Sequence, residues 1–487
     1  MKHSLRLIGI PLLLLSCSMS QPTAPDTAEQ ERVPDLEATL PPEQEMAVGE
    51  LRPAGVSAQA SELPAWKGPL MFGFRVFNKA GNSQLGVSAI GRPFVNTVFG
   101  GTGGVYYSKL HSFKADGTSF APVEGPGGRY AVGMAVMEPT VGDAPNDIGF
   151  YDSVWQFQEA PNYATSGFAV YGRFMGEPSL RGNLDLPYGN IAVDRGRLYQ
   201  VERSSTDVAM LAGVPASLGR TDVVTANRNV TQGGDIVRTT TPVLFPKHLT
   251  GFDAERVYQE FSATTDGTQY VVMAFPATGC EDAACPSLIN VQQVKQGRVT
   301  WSRVWRTGVP VRLEHISANN IDVVILMSAG AANPDTPAAF PQLTRVRNDG
   351  VVLERYRVPL EGWRRDWAQG TPEERYALIP NLKYISTDDT GRITANNENF
   401  ILSGSFSEAF PNVYLLDRQL NPPVDRGRIV GPVAFAHDYL YASGTTDTGF
   451  GNPQKPPRAA NDPASGNSGY FLLPLDFELN ERAVMSE

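Results

Sequence analysis

Charge is sparse in this sequence. Asp, Glu, Lys and Arg make up 19% of 487 residues, and the 41 basic and 51 acidic side chains leave a net charge of −10. A chain this short of basic residues is a poor electrostatic partner for nucleic acid or an anionic membrane surface. Thiols and imidazoles are scarcer still, with 3 Cys and 5 His. Three thiols exclude a scaffold built on disulfides, and Cys280-Glu-Asp-Ala-Ala-Cys285 has no flanking His to complete a zinc site. The chain has no nucleophile elbow, no phosphate-binding P-loop and no HExxH helix. WD and kelch blade signatures are missing too, so no named repeat family is indicated. Its apolar run Leu7–Leu15 falls short of the roughly 20 residues that span a bilayer.

Turn formers are abundant instead. With 47 Gly and 38 Pro against an apolar fraction of 41%, the composition favours an all-β fold. The clearest single element is Gln342–Val358, QLTRVRNDGVVLERYRV. Successive side chains of a strand point to opposite faces, so alternation marks a half-buried strand. Leu343, Val346, Val351, Leu353 and Tyr356 alternate with Arg345, Arg347, Glu354 and Arg357 around Asn348-Asp349-Gly350. Asn and Asp bond their own backbone and Gly accepts positive φ, so this tip closes a hairpin.

Comparable hairpins recur. Val105–Val123 turns at Asp116-Gly117, Leu288–Trp305 at Gln296-Gly297, and Val413–Ile429 and Tyr470–Val484 follow the same grammar. Apolar runs precede them: Tyr270–Phe275, Ile321–Met327, Phe400–Gly404 and Tyr439–Gly444. Ahead of those stand Phe261–Asp266, Leu313–Asn319, Lys383–Asp388 and Pro432–His437. Four strands in meander order, repeating every ~50 to 70 residues, describe a β-propeller of about seven four-stranded blades. The expected blades lie near 66–125, 129–187, 188–247, 250–308, 311–360, 382–430 and 431–484. Two β-sandwich domains are the competing architecture, but they give no reason for one hairpin to recur at near-constant spacing.

The N-terminus has a different character. Lys2 and Arg6 precede the apolar run, which fits an export signal over 1–16. Leu14-Leu15-Ser16-Cys17 resembles the lipobox of bacterial lipoproteins, and that resemblance covers the leader alone. It implies cleavage before Cys17, lipid on its thiol, and a membrane-anchored, extracytoplasmic protein of the bacterial cell envelope. An ordinary secretory signal with an incidental Cys is the alternative. Residues 17–63 are rich in Pro, Glu, Ala, Ser and Gln and hold no Trp, Phe or Tyr, which describes a flexible tether. Packed structure is expected from 64 to 487, with Trp66 as its first aromatic. Cys280 and Cys285 are then the remaining pair, and an oxidising compartment favours their disulfide.

Candidate site residues are few. Glu361–Ile379 breaks the repeat with a short helix expected from Pro372 to Leu378, capped by Thr371. Just before it, Trp363, Arg364, Arg365 and Trp367 combine the residue types enriched at binding hot spots, or else pack the insertion onto the blades. His437-Asp438 is either a functional pair or a structural His at a strand end. Asp388 and Asp389 open a loop of oxygen ligands that suits calcium without matching an EF-hand, or they simply form a polar turn. No other cofactor is indicated. The reading is a binding or scaffold module of the envelope, with protein or saccharide as ligand. Its alternative is a secreted propeller hydrolase or lyase acting on an envelope or external polymer, since propeller enzymes assemble sites from distant loops.

Overall fold

The structure, a computed structural model, describes residues 34–485 apart from 54–60, 73–83, 101–105, 125–129, 138–152, 160–165, 187–197, 203–208, 228–236, 330–339, 360–381, 447–468 and several shorter gaps. All of them belong to one unit, Pro34–Glu487. Among the described residues there is no helix.

Among the described residues, seven sheets of four or more strands follow one another along the chain, and each of the first six has at its centre four antiparallel strands paired in sequence order. Blades 1 to 6 span 84–124, 130–186, 198–244, 258–306, 311–357 and 384–415. Blade 7 is built from strands between 428 and 476 and is completed by Met71–Phe72 from the other end of the chain. The first strands of the blades neighbour one another in turn: Gln84–Val87, Tyr130–Met137, Leu198–Glu202, Tyr258–Ala263, Val311–Ala318 and Tyr384–Thr387. Ala434–Ala436 of blade 7 then returns to Gln84–Val87, so the ring closes as a seven-bladed β-propeller whose first strands wall the central channel.

Blade packing explains the apolar runs. Along Asp322–Ala329 every residue is buried. Val323, Ile325 and Met327 pack with Tyr270, Val272 and Ile289 of blade 4. Val324 and Leu326 point the other way, against Ile385, Ile393 and Leu402 of blade 6. A strand sandwiched between two blades has no polar face, so it reads as a continuous run rather than an alternation.

The hairpin of Gln342–Val358 forms as expected, with Phe340–Arg347 paired to Val352–Arg357 and Gly350 at φ 84°. Its tip is not a free edge. Gln293 Nε2 and Trp301 Nε1 of blade 4 both donate to the Asn348 carbonyl at 2.8 Å, and Arg303 Nε donates to the Gly350 carbonyl at 2.9 Å. The tip latches blade 5 to blade 4.

Two expectations are corrected. The hairpin expected over Val413–Ile429 is not the outer half of blade 6. That half is Phe400–Ser405 with Ala409–Leu415, and the later stretch gives only the small ribbon of Gln419–Leu420 with Pro423–Val424. Pro422 and Pro423 each lack an N–H to donate, which limits any ladder there. The tether expected to run to Leu63 also does not describe residues 34–53. Leu36–Glu37, Glu43–Glu45 and Arg52–Pro53 each add a short parallel strand to the outer strand of blade 4, 5 and 6 in turn. Widely spaced apolar residues supply the anchoring that the composition hides: Ala38 and Leu40 pack on the cluster between blades 4 and 5, and Met46 is 2% exposed between blades 5 and 6. The spacer lacks aromatics, but a belt needs only one anchor per blade.

The ring is fastened by both ends of the unit. Trp66 bridges Val484 in parallel and is fully buried against Phe113 of blade 1 and Tyr441 of blade 7. Arg482 is also buried; its Nε and Nη2 donate to the Pro64 carbonyl at 3.0 and 2.6 Å. Further bonds reach the Ala115 carbonyl at 2.7 Å and the Tyr441 hydroxyl at 3.0 Å. Gly117, at φ 88°, leaves the room that this needs: a Cβ there would stand 2.5 Å from the Trp66 ring.

Candidate functional site

First strands have one edge without a ladder partner, and their N–H groups must be satisfied elsewhere. Side chains of the preceding blade do this. Ser262 Oγ accepts from Ala318 N at 3.0 Å, Ser317 Oγ from Thr387 N at 3.2 Å, and His315 Nδ1 from Ile385 N at 3.3 Å. At the next boundary Asn396 Oδ1 accepts from Val433 N at 3.1 Å, and Ser386 Oγ donates to the Val433 carbonyl at 2.9 Å. These links hold the first strands of blades 4 to 7 in register and fix which side chains stand at the wall.

At the wall of blades 4 to 6 the polar groups gather. Val311–Ala318 carries a bulge between Leu313 and His315, which inserts Glu314 as an extra residue. The Glu314 side chain, 10% exposed, accepts from Arg312 Nε at 2.6 Å and from Ser328 Oγ at 2.6 Å. His315 packs edge-on to Tyr384 with ring centroids 5.7 Å apart. Burial holds the His315 imidazole down at about 4, so it is neutral near pH 7, and the Ile385 N–H directed at Nδ1 places its proton on Nε2. Burial pushes the Tyr384 phenol up, and the carboxylates of Glu398, Glu260 and Glu314 push it further. Those three carboxylates come from blades 6, 4 and 5. Lys383 and Arg428 both pair with Glu398. Tyr258, at the start of the blade 4 first strand, is 41% exposed. Paired cations and carboxylates therefore stand beside the His315 and Tyr384 rings at the first strands of blades 5 and 6.

The residues singled out from the sequence that are described have other contacts. Cys17, Trp363, Arg364, Arg365 and Trp367 lie outside the described residues, as does the helix expected at Pro372–Leu378. His437 forms the turn between Ala434–Ala436 and Tyr439–Thr446, at φ 50°. Arg392 of blade 6 donates to the His437 carbonyl at 2.6 Å and to Asp438 Oδ1 at 2.7 Å, with its guanidinium 3.9 Å over the Phe477 ring. That pair ties blade 7 to blade 6. The two carboxylates of the 388–389 turn are committed to N–H donors: Asp388 Oδ1 accepts from Thr390 N and Arg392 N, and Asp389 from Asn320 N and Nδ2. Such donors compete with a cation for the same oxygens. Among the described residues, no three His, Cys, Asp or Glu side chains are grouped to hold a metal. Cys280 and Cys285 form a disulfide. It holds the connection that follows Gln269–Pro276, and Cys285 exchanges both backbone hydrogen bonds with Val311 of blade 5.

The sequence carries one faint signal of the wall cluster. Val87-Ser88, Phe261-Ser262, Ile316-Ser317 and Ile385-Ser386 put an apolar residue and a serine at the same step of four first strands. Aligned on that pair, Glu260, His315 and Tyr384 fall within two residues of it on successive blades.

No family model and no curated protein matches the chain. Solved structures do. The WD40 domain of Neurospora crassa Pan2 is 9% identical with a TM-score of 0.39, over 83% of this chain and 92% of its own. A polysaccharide lyase of family PL25, an ulvan lyase, is 12% identical with a TM-score of 0.36, over 87% and 96%. A thermostable family-43 glycoside hydrolase is 11% identical with a TM-score of 0.32, over 73% and 95%. At these scores none of them carries a functional argument.

Proposed function

We propose that this chain is an exported bacterial lipoprotein, anchored through lipid on Cys17, whose propeller binds a saccharide at the channel wall of blades 4 to 6. The leader and its lipobox-like Leu14-Leu15-Ser16-Cys17 support the anchor. The observation that carries the binding reading is the set of contacts on adjoining first strands: Glu314 held by Arg312 and Ser328, His315 edge-on to Tyr384, and Lys383 paired with Glu398. Sugar hydroxyls donate and accept within a few ångströms, so they need both kinds of partner on a rigid surface, with aromatic rings for their apolar faces. First strands locked by interblade hydrogen bonds supply that rigidity.

Affinity electrophoresis tests the binding, with neutral, uronic-acid and amino-sugar polysaccharides cast into the gel. Retardation of the wild type by one class, lost in Arg312→Ala, supports the reading; equal mobility in every gel overturns it. Membrane fractionation tests the anchor: Cys17→Ser is expected to move the protein to the soluble fraction, and an unchanged distribution overturns the lipid attachment.

A second reading, an enzyme acting on such a polymer, rests on the neutral imidazole of His315 lying ring to ring with Tyr384. Shortening of the polymer by the wild type and not by Tyr384→Phe would favour it over binding alone.

A further inference from the structure

The belt of residues 34–53 shows what the outer edge of blade 5 can hold. An edge strand presents unpaired N–H and C=O groups, and an added strand satisfies them while side chains select the sequence. Glu43–Glu45 pairs in parallel with Val352–Arg357, Glu43 opposite Arg355 and Glu45 opposite Arg357. Arg355 Nη2 lies 3.3 Å from Glu43 Oε2, and Arg357 Nη2 lies 3.1 Å from Glu45 Oε2. Gln342 Nε2 of the neighbouring strand also donates to Glu43 Oε2 at 2.5 Å. Met46 N then donates to the Arg357 carbonyl at 2.9 Å, and its side chain drops into the cluster of Leu343, Val358 and Phe410.

We infer that the outer edge of blade 5 is a strand-addition site for an extended acidic peptide, with carboxylates at alternate positions followed by an apolar residue, and that segment 43–46 occupies it in cis. Every selective contact comes from the propeller: two guanidinium groups spaced by one residue on the edge strand, one amide donor from the strand beside it, and one apolar pocket between blades 5 and 6. None of them depends on how the incoming strand is joined to the propeller. The cis ladder is three residues long, so its occupancy owes much to effective concentration, which reaches the millimolar range for a short linker. A peptide in trans therefore enters where the cis segment is weakened.

The test uses the full chain and a fluorescent peptide of residues 34–53, read by anisotropy, with hydrogen exchange of 34–53 and of Val352–Arg357 followed alongside. In Met46→Asp the cis segment loses its apolar anchor. Its amides are expected to exchange faster, and the peptide is expected to bind this variant at least tenfold more tightly than the wild type. A peptide carrying Glu43→Arg and Glu45→Arg is expected to bind at least tenfold more weakly. Adding Arg355→Glu and Arg357→Glu to the Met46→Asp chain should restore its binding. Fast exchange without peptide binding overturns the inference, because the edge would then need the covalent connection. Slow exchange of 34–53 in Met46→Asp overturns it equally, because the pocket would not anchor the strand.

Discussion

Removing the Arg482 guanidinium is expected to unfasten the ring where its two ends meet. The group is buried and serves three oxygens: Pro64 O through two N–H groups, Ala115 O through one, and the Tyr441 hydroxyl through one. It also lies 5.5 Å over Trp66 and 5.3 Å over Tyr439. Arg482→Met keeps most of the volume and loses every donor. Each buried acceptor left unmatched costs about 1 to 3 kcal/mol, and partial relaxation keeps the total below their sum. Lost cation–π contact adds roughly 1 kcal/mol. The expected loss is about 4 kcal/mol, in the range reserved for broken buried networks. Arg482→Lys retains the charge but not the fork, and is expected to lose about half as much. Lys67→Ala is the control, since its pair with Asp116 is exposed and such pairs contribute about 0 to 1 kcal/mol. Urea unfolding followed by tryptophan fluorescence gives the totals, and hydrogen exchange at Tyr470–Leu472 locates the opening. If Arg482→Met proves no more harmful than Lys67→Ala, the clasp does not hold the ring.

Three further outcomes are expected. Burial holds His111 and His315 at about 4 against an ordinary 6.5, with Lys109 adding to the effect at His111. Each is neutral in the fold while the unfolded chain binds a proton, so stability is full above pH 6.5 and falls as pH drops towards 4. The loss approaches about 3 kcal/mol per histidine, and His315→Gln should flatten the urea-midpoint profile over that window. Trp301→Phe is expected to cost about 1 kcal/mol, because Gln293 Nε2 still donates to the Asn348 carbonyl. Combining it with Gln293→Leu orphans that carbonyl, so the double variant should lose more than the two single losses together, measured as a mutant cycle in urea.

The blade plan was legible in the sequence because propeller blades repeat local signals. Asn348-Asp349-Gly350 and Asp116-Gly117 sit at turns where positive-φ glycines leave a compositional trace, and Asp322–Ala329 advertises its double burial. Non-local features were harder to read. Nothing in Glu43-Gln-Glu-Met46 says that Arg355 and Arg357, more than 300 residues away, await it. The chain likewise gives no sign that Met71–Phe72 completes the last blade. His437-Asp438 and Asp388-Asp389 looked like chemistry because charged pairs at turns resemble ligands; Arg392 and Asn320 of their own and adjoining blades explain their contacts instead. The wall cluster is not legible because His315 and Tyr384 meet only once blades 5 and 6 stand side by side. Cross-blade side-chain bonds do that work, and no single stretch of sequence displays them.

Calorimetric titration of oligosaccharides cut from whichever polysaccharide retards the wild type tests the central claim most directly. The wall reading expects saturable binding to the wild type, weakened at least tenfold by Tyr384→Phe and by Arg312→Ala, with Arg392→Ala unchanged because that side chain ties blade 6 to blade 7. Equal affinity in all four proteins would place the ligand elsewhere and contradict it.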